Sequence, residues 1–375
     1  MAQITGKTIY VLGAGASHHT GAPLLRDFLV TARLLREGRN ELRYRDSFNR
    51  IFTWIDSLRA SSYYVEFDLD NLEHVFSLAE MSRQLSLEAG EERSSDLRRI
   101  IMETLDRLAL RYRQGQWQPD AVYHEFASLI DRLNDRRQQH TRGAHGVFEK
   151  EVIIAFNYDV MLDYAMRFVS AKPDYCLGEE GAKGGVKLLK LHGSTNWASC
   201  RNCKGHLQVV PATPIPAGHH IPGIPEEGHT LVFKMVTNVL THTSCDSCHN
   251  TDTLEPVVIP PTWSKAVAGT PIAKIWATAV SEIRNAFQLV VIGYSMPPTD
   301  TFFQYLLTLG LESNPGFHRV VVVNRDKSDA LRERYEGVFS RSLRDRGRLK
   351  FLANTFEEFV KEKMDTVGSI VEWPY

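Results

Sequence analysis

The sequence lacks a long apolar run, an internal repeat and a strong net charge. Its apolar runs, such as residues 289–292, are far shorter than the roughly 20 residues that a membrane helix needs. Lys7 near the N-terminus precedes only a short apolar stretch that glycine interrupts at Gly13, which does not fit a signal peptide. The 44 lysines and arginines nearly balance the 45 aspartates and glutamates. We therefore expect a cytoplasmic protein without a membrane segment, and the charge does not support direct binding to nucleic acid.

Cysteine is scarce, with 5 in 375 residues, but four of the five form two C-x-x-C pairs. The pairs are Cys200 with Cys203 and Cys245 with Cys248. In a reducing compartment this arrangement favours a metal over disulfides. Four thiolates complete a tetrahedral zinc site and leave no open position, so we predict structural zinc. A redox-active C-x-x-C is the alternative, and Cys176 is left over as a buried thiol.

Five short apolar segments predict parallel strands of an open sheet. Polar residues or glycines follow each segment, which is typical of a sheet whose ligands bind beyond the carboxyl ends of its strands. The segments are residues 8–12, 151–156, 186–191, 287–292 and 319–323. We predict an α/β fold with a Rossmann-like, mostly parallel sheet, and we expect the motifs that follow the strands to converge in space.

The chain divides into three predicted parts. Residues 34–145 carry apolar side chains at three-to-four spacing among many charges, which predicts a helical insertion. Residues 200–249 hold both cysteine pairs and predict a small zinc ribbon. The Rossmann-like domain then consists of residues 1–33, 146–199 and 250–375, with a closing helix over residues 356–364.

A glycine-rich turn follows the first predicted strand. Gly13, Gly15 and Gly21 permit a tight turn and close approach of a ligand, and Ala14 lies in the same predicted nucleotide-binding turn. The amides of the next helix can hold a pyrophosphate. Ser17 either caps that helix or contacts a phosphate. A turn of this kind also occurs for packing alone. A hydride-transferring dehydrogenase is disfavoured, because a helical insertion stands where the acidic ribose-binding residue would follow a second strand.

Four motifs occur in one order: Gly13–Ser17, Asn157–Asp159, Leu191–Gly193 and Gly293–Ser295. Together they resemble the sirtuin family. The resemblance covers the sheet and the cysteine pairs, where sirtuins carry a zinc ribbon, and it leaves the insertion unmatched. It implies that the cavity binds NAD so that nicotinamide departs as a leaving group.

The resemblance also implies roles for three catalytic residues. Asn157 would position water or the ribose, and Asp159 would accept a hydrogen bond from the nicotinamide amide. His192 would act as a general base toward a ribose hydroxyl, for which its proton affinity near neutral pH is suited. The structural alternatives are a strand-ending turn at residues 157–159 and a histidine without a catalytic role.

The adenosine side of NAD is assigned in the same way. Gly293 and Ser295 match a turn that contacts the phosphate or the ribose in the family, although Tyr294 stands where threonine is usual. Asn324 resembles the residue that binds the adenine-side ribose, since an amide offers both a donor and an acceptor. A simple strand cap is the alternative for Asn324.

Several features differ from the sirtuin deacylases. Deacylases bind an acyl-lysine peptide as an added strand, whereas Pro256, Pro260 and Pro261 remove amide donors from the corresponding segment. Phe156 replaces the usual glutamine. With the large insertion, these differences resemble the bacterial sirtuin-like proteins of antiviral defence, which hydrolyse NAD. The alternatives are an NAD-dependent protein-lysine deacylase and a non-catalytic sensor of NAD or ADP-ribose.

The resemblance thus predicts an NAD glycohydrolase that releases nicotinamide and ADP-ribose, with NAD as its substrate and zinc as a structural ion. Such an activity is toxic if it is always on, which fits an effector of abortive infection. We therefore expect a regulated homo-oligomer whose insertion forms contacts between subunits or with a partner. By resemblance, the candidate partners are a HerA-type ATPase and a short argonaute.

Overall fold

A parallel sheet lies at the centre of this computed structural model. The model describes residues 7–38, 41–61, 65–141, 150–178, 185–203, 206–217, 225–251, 253–259, 271–297 and 300–365. Within those ranges, the side chains of residues 136–141, 241 and 363–365 are not described. The predicted boundary between residues 145 and 146 lies outside the described residues, as do Pro260 and Pro261.

The described residues form 13 α-helices and 14 strands. The helices are α1 (Ala14–Ser17), α2 (Phe28–Glu37), α3 (Arg45–Ser61), α4 (Leu72–Gln84), α5 (Gly90–Leu105), α6 (Ala121–Thr141), α7 (Met161–Ala165), α8 (Thr237–His242), α9 (Pro271–Arg284), α10 (Thr301–Leu311), α11 (Asp329–Val338), α12 (Arg341–Asp345) and α13 (Phe356–Asp365). The strands are β1 (Lys7–Leu12), β2 (Arg107–Arg113), β3 (Gln116–Gln118), β4 (Val152–Ala155), β5 (Pro173–Asp174), β6 (Val186–Lys190), β7 (Gly193–Cys200), β8 (Leu207–Val209), β9 (Ile215–Pro216), β10 (Thr230–Lys234), β11 (Leu254–Val258), β12 (Ala286–Ile292), β13 (Arg319–Val323) and β14 (Leu349–Leu352).

The described strands of the central sheet follow the order β14-β13-β12-β1-β4-β6-β5, and every neighbouring pair is parallel. The chain first builds outward from β1 through β4 to β6 and then returns to build outward through β12. The order therefore reverses between β1 and β12, which is where open α/β sheets bind ligands. The predicted α/β class and parallel sheet are confirmed, and the five predicted strands correspond to β1, β4, β6, β12 and β13.

Both faces of the sheet are covered. In β1, Tyr10 and Leu12 pack into one apolar core, and Ile9 and Val11 pack into the other. Because every side chain of a two-sided buried strand meets protein, the strand sequences are continuously apolar rather than alternating. This burial on both faces is the physical origin of the apolar segments in the sequence.

The insertion has its own apolar core, but it is not wholly helical. Helices α3, α4 and α5 pack around Phe48, Phe76 and Ile101. Strands β2 and β3 form a hairpin instead of continuing the helical pattern, and β2 pairs with β10 from the segment between the cysteine pairs. Leu108 and Leu110 of β2 are buried on either side of Ala109, and so short a stretch does not distinguish a strand from a helix by periodicity alone.

The segment predicted as a zinc ribbon begins at Cys200, the last residue of β7 in a three-stranded antiparallel sheet. Strand β7, which starts directly after the His192 position, pairs with β8 on one side and β11 on the other. Residues 211–227, which lie between the two cysteine pairs, are described except for residues 218–224, and they include β9. The predicted closing helix is confirmed as α13. Within the described residues, no helix combines the length and apolar character needed to cross a membrane.

Asp106 joins the insertion to the segment before α8. Its carboxylate accepts hydrogen bonds from the amides of Met235, Val236 and Thr237 at 2.6–2.8 Å and from the Thr237 hydroxyl at 2.5 Å. Burial raises the pKa of this carboxyl to about 6, while these hydrogen bonds act in the opposite direction. One side chain therefore satisfies several buried donors that have no regular secondary-structure partner.

Replacing Asp106 should destabilise the protein. Asp106→Ala leaves three amides and a hydroxyl buried without their acceptor, and each such donor costs about 1–3 kcal/mol. We expect the free energy of unfolding to fall by about 3 kcal/mol or more. Urea unfolding followed by circular dichroism measures this change. The exposed Asp345→Ala should stay within about 0.5 kcal/mol of wild type, and equal stability of the two variants would contradict the role of Asp106.

Candidate functional site

A cavity of about 830 Å³ opens beyond the carboxyl ends of β1, β4, β6, β12 and β13. Its size is in the range of small-molecule and cofactor sites, about 300–1,000 Å³. The structure brings together every predicted catalytic residue and, except for Gly13, every predicted NAD-binding residue. The cavity is lined by Ala14, Gly15, Ser17, Asn157, Asp159, His192, Gly293, Ser295 and Asn324.

The floor of this cavity is a contact between two glycine turns. The Gly15 amide donates to the Gly293 carbonyl at 2.8 Å, and the Gly13 amide donates to the Ile292 carbonyl at 2.9 Å. Gly293 has a φ of +62°, and a Cβ on it would lie 2.4 Å from the Ala16 nitrogen. Packing therefore accounts for the glycines. The Gly15 amide is therefore already hydrogen-bonded within the protein. The Ala16 amide is hydrogen-bonded as well, because it donates to the Gly13 carbonyl.

Ser17 lies at the centre of a buried hydrogen-bond network. Its hydroxyl donates to Asp159 at 2.7 Å and accepts from the Asn157 Nδ2 at 2.8 Å. The Tyr123 hydroxyl, 2.7 Å away, must then donate to Ser17, because serine has a single hydroxyl proton. Ser17 does not cap α1, contrary to one of its two expected roles. Tyr123 comes from the insertion and was missed because no motif surrounds it.

Asn157 presents an unsatisfied acceptor at the cavity. Its Oδ1 is buried and has no hydrogen-bond partner among the described residues. A buried polar atom without a partner is uncommon and points to a missing ligand or water. The Asn157 Nδ2 donates to Ser17, which orients the side-chain amide. Because Asn157 also lines the cavity, its Oδ1 is available to a ligand.

A buried lysine, Lys190, fixes the turn that carries Asp159. The Lys190 Nζ donates to the Asp159 carbonyl at 2.6 Å and contacts Asp163 at 3.1 Å. The Asp159 carboxylate accepts from Ser17 and, at 3.1 Å, from the Met161 amide. A carboxylate has about four acceptor sites, so Asp159 retains capacity for a further donor such as the nicotinamide amide.

His192 is buried beside an acid that sequence reasoning did not assign. Its Nε2 lies 3.4 Å from the Asp300 Oδ2, and the ring makes an edge-to-face contact with Phe156 at 4.9 Å. Asp300 is fully buried at the start of α10 and also accepts from the Tyr294 hydroxyl at 2.8 Å. A carboxylate beside the imidazole orients the ring. The available signal was an aspartate directly before an apolar segment, residues 301–311, that can form a helix.

The residues predicted to bind the adenosine side of NAD have mainly contacts within the protein. Tyr294 stacks on Phe156 at 4.4 Å, and burial raises the pKa of Tyr294 well above its usual value. The Ser295 carbonyl accepts from Arg334 at 2.9 Å. Asn324 donates to the Tyr294 carbonyl at 3.4 Å and accepts from the Asp326 amide, as expected of a strand cap. Ser295 and Asn324 nevertheless line the cavity.

The insertion closes the opposite wall of the cavity. Asn71 caps the start of α4 by accepting from the Glu73 amide at 2.9 Å, and both residues line the cavity with Ile101 and Leu105 of α5. Glu73 is only 4% exposed, and its charge, together with burial, raises the pKa of Tyr158. These residues were missed because the insertion matched no motif.

The four paired cysteines converge in space. The Cys200 and Cys248 sulfurs lie 3.7 Å apart, the Cys203 and Cys245 sulfurs lie 4.0 Å apart, and all four lie within 4.8 Å of one another. A tetrahedral zinc ion with bonds of about 2.3 Å requires sulfurs about 3.8 Å apart. The cluster therefore fits a structural zinc site, and four thiolates leave no open position for catalysis.

Cys176 lies apart from this cluster and is buried, as expected. Burial raises the pKa of its thiol to about 11, so it is protonated at neutral pH. A protonated thiol is a poor nucleophile and a poor metal ligand. Cys176 therefore has no role in the zinc site.

Comparison with known proteins gives similarity to sirtuin structures. No family model and no curated protein match the chain. Among solved structures, the chain is similar to a Sir2 homologue in complex with NAD, with 14% identity and a TM-score of 0.42 over 98% of this chain and 91% of the other. It is also similar to Sir2Tm bound to a propionylated peptide, with 14% identity and a TM-score of 0.38 over 96% and 93% of the two chains.

Loss of one paired cysteine should abolish metal binding. We expect Cys203→Ser to lose the ion, from about one zinc per chain to near zero, because a tetrahedral site needs all four thiolates. Inductively coupled plasma mass spectrometry of the purified protein measures the zinc content. Cys176→Ser is the matched control and should keep full occupancy. Wild-type protein that lacks zinc and instead exchanges disulfides would support the redox alternative.

Proposed function

We propose that the protein is an NAD glycohydrolase that cleaves NAD to nicotinamide and ADP-ribose. The observation that carries this proposal is the convergence of Asn157, Asp159 and His192 at one cavity beside the glycine turns. That cavity lies at the point where the strand order reverses, which is the general position of nucleotide sites in open α/β sheets. The resemblance of the four motifs to sirtuins supplies the substrate.

The proposed reaction breaks the bond between the nicotinamide nitrogen and ribose C1′, and the electron pair leaves with nicotinamide. Asp159 holds the nicotinamide amide with the acceptor capacity that Ser17 and Met161 leave. Asn157 uses its unsatisfied Oδ1 to orient water or the ribose. His192, oriented by Asp300, accepts a hydrogen bond from a ribose hydroxyl as general base.

The surroundings of β11 favour hydrolysis over peptide deacylation. A peptide strand needs a free edge with unpaired backbone groups. One edge of β11 pairs with β7, and α5 packs on β11, with Arg99 donating to Glu255 at 3.0 Å. The β7 pairing is irregular between Pro256 and Val257. This packing of the insertion against β11 supports the proposal of hydrolysis.

The same proposal includes a regulated role in defence. The protein would act in the cytoplasm as a toxic effector of abortive infection against phage, as a homo-oligomer and with a HerA-type ATPase or a short argonaute as its partner. The motif resemblance to the sirtuin-like defence proteins supports this. Exposed large apolar side chains that suit subunit contacts occur on α2 and the insertion: Val30, Leu34, Val65, Phe67, Met81, Leu85 and Leu87.

Removing either predicted catalytic side chain should abolish turnover. We expect Asn157→Ala and His192→Ala to lower the rate of nicotinamide release from NAD by about 100-fold or more, because positioned polar groups contribute on that scale. Chromatography of nicotinamide and ADP-ribose measures the rate without any acylated peptide. Circular dichroism confirms that the variants fold.

The exposed His229→Ala, outside the cavity lining, is the matched control and should retain wild-type turnover. Turnover at the wild-type rate in both cavity variants would reject the assigned roles. Nicotinamide release that requires an acetyl-lysine peptide would establish a deacylase instead. Binding of NAD or ADP-ribose without turnover, also with the proposed partners present, would establish a sensor.

A charge on the exposed face of α2 should disrupt the oligomer. Val30 and Leu34 are one helical turn apart and are 55% and 64% exposed. We expect Leu34→Glu to shift the mass measured by light scattering from an oligomer to a monomer, because burying a charge in an interface is costly. Leu309→Glu, on α10 outside the insertion, should leave the mass unchanged. A monomeric wild type, alone and with both candidate partners, would contradict the assembly.

A further inference from the structure

We propose that Glu73 of the insertion is a catalytic residue that activates the water for NAD cleavage. This inference rests on the proposed function and deepens it. It assigns chemistry to the insertion, which the motifs of the sheet leave without a role. The carboxylate would receive a proton from the water that attacks ribose C1′.

The position of Glu73 carries the inference. It lines the same cavity as Asn157 and His192, and it is 4% exposed. It belongs to α4 of the insertion, whereas Asp159 and Asp300 belong to loops that follow strands of the sheet. Carboxylates thus reach the cavity both from the sheet and from the wall that covers it.

Local structure fixes where this carboxylate lies. Asn71 accepts from the Glu73 amide and begins α4, so Glu73 lies in the first turn of the helix. Ile101 and Leu105 of the neighbouring α5 line the same cavity, and α5 packs against α4. Tyr158, whose ring centroid lies 6.0 Å from that of His192, belongs to the same apolar cluster as Leu72 and Val75 of α4, so this helix packs on the His192 side of the cavity.

The chemistry of the substrate requires a group of this kind. As the bond from C1′ to the nicotinamide nitrogen breaks, positive charge develops on the ribose, as in other glycoside cleavages. A nearby carboxylate stabilises that charge and accepts one proton from the attacking water. The oxygen then bonds to C1′, nicotinamide leaves neutral with the electron pair, and the proton on Glu73 passes to solvent. The products are ADP-ribose, nicotinamide and a proton.

A structural role for Glu73 is the competing explanation. An acid in the first turn of a helix interacts favourably with the helix dipole. Glu73→Gln removes the charge and the basicity while keeping nearly the same shape, so it separates the two explanations. A structural role changes thermal stability, whereas a role in activating water changes turnover after NAD has bound.

The experiment compares the full-length wild type with Glu73→Gln and with Glu66→Gln, an exposed acid in the segment that precedes α4. Calorimetry measures NAD affinity, and chromatography measures nicotinamide release without peptide. We expect Glu73→Gln to bind NAD within about threefold of wild type and to release nicotinamide at least about 100-fold more slowly. Glu66→Gln should match wild type in both.

Sodium azide provides a readout that a structural role does not affect. Azide is a nucleophile that needs no deprotonation, so it should partly restore nicotinamide release by Glu73→Gln and yield the azide adduct of ADP-ribose. Wild-type turnover by Glu73→Gln, or slow turnover without azide rescue, would overturn the role of Glu73 and leave the proposed function standing. A wild type that releases no nicotinamide, alone or with the proposed partners, would overturn both.

Discussion

The contact between the glycine turns after β1 and β12 is the constraint on which the site depends. Side chains are excluded there, because a Cβ on Gly293 would meet the Ala16 nitrogen at 2.4 Å and a Cβ on Gly15 would meet the Gly293 carbonyl at 2.8 Å. The two turns can therefore approach only as bare backbone. The cavity lies beside these two turns. Their close approach also positions Ser17, which forms hydrogen bonds with both Asn157 and Asp159.

The insertion is part of this site rather than an appendage. Tyr123 donates to Ser17 from α6, while Glu73 lies at the start of α4 in the opposite wall. Asp106 of the insertion accepts a hydrogen bond from the Val236 amide, just before α8. Strand β2 of the insertion also pairs with β10 of the zinc-ribbon segment. Loss of these connections would leave buried donors without acceptors, so the insertion and the zinc-ribbon segment are energetically coupled to each other.

The sequence predicted the framework of the site because strand ends carry local signals. Apolar segments identified five strands of the central sheet, and the polar residues after them line one cavity. The β2–β3 hairpin was not predicted, since its few residues fit more than one periodicity. Asp300 and Tyr123 were also missed. Tyr123 meets Ser17 across 106 positions of the chain, a proximity that no local pattern encodes.

The sequence by itself determined the alternation of apolar strands with polar turns, the glycines that permit close backbone approach and the spacing of the two cysteine pairs. These are properties of a few consecutive residues and follow from backbone sterics and burial. Only the tertiary structure decided which side chains meet. Strand order brought His192 to Asp300, and packing of the insertion put Tyr123 and Glu73 at the cavity. Such contacts depend on how distant segments pack in three dimensions, and the chain order alone does not specify them.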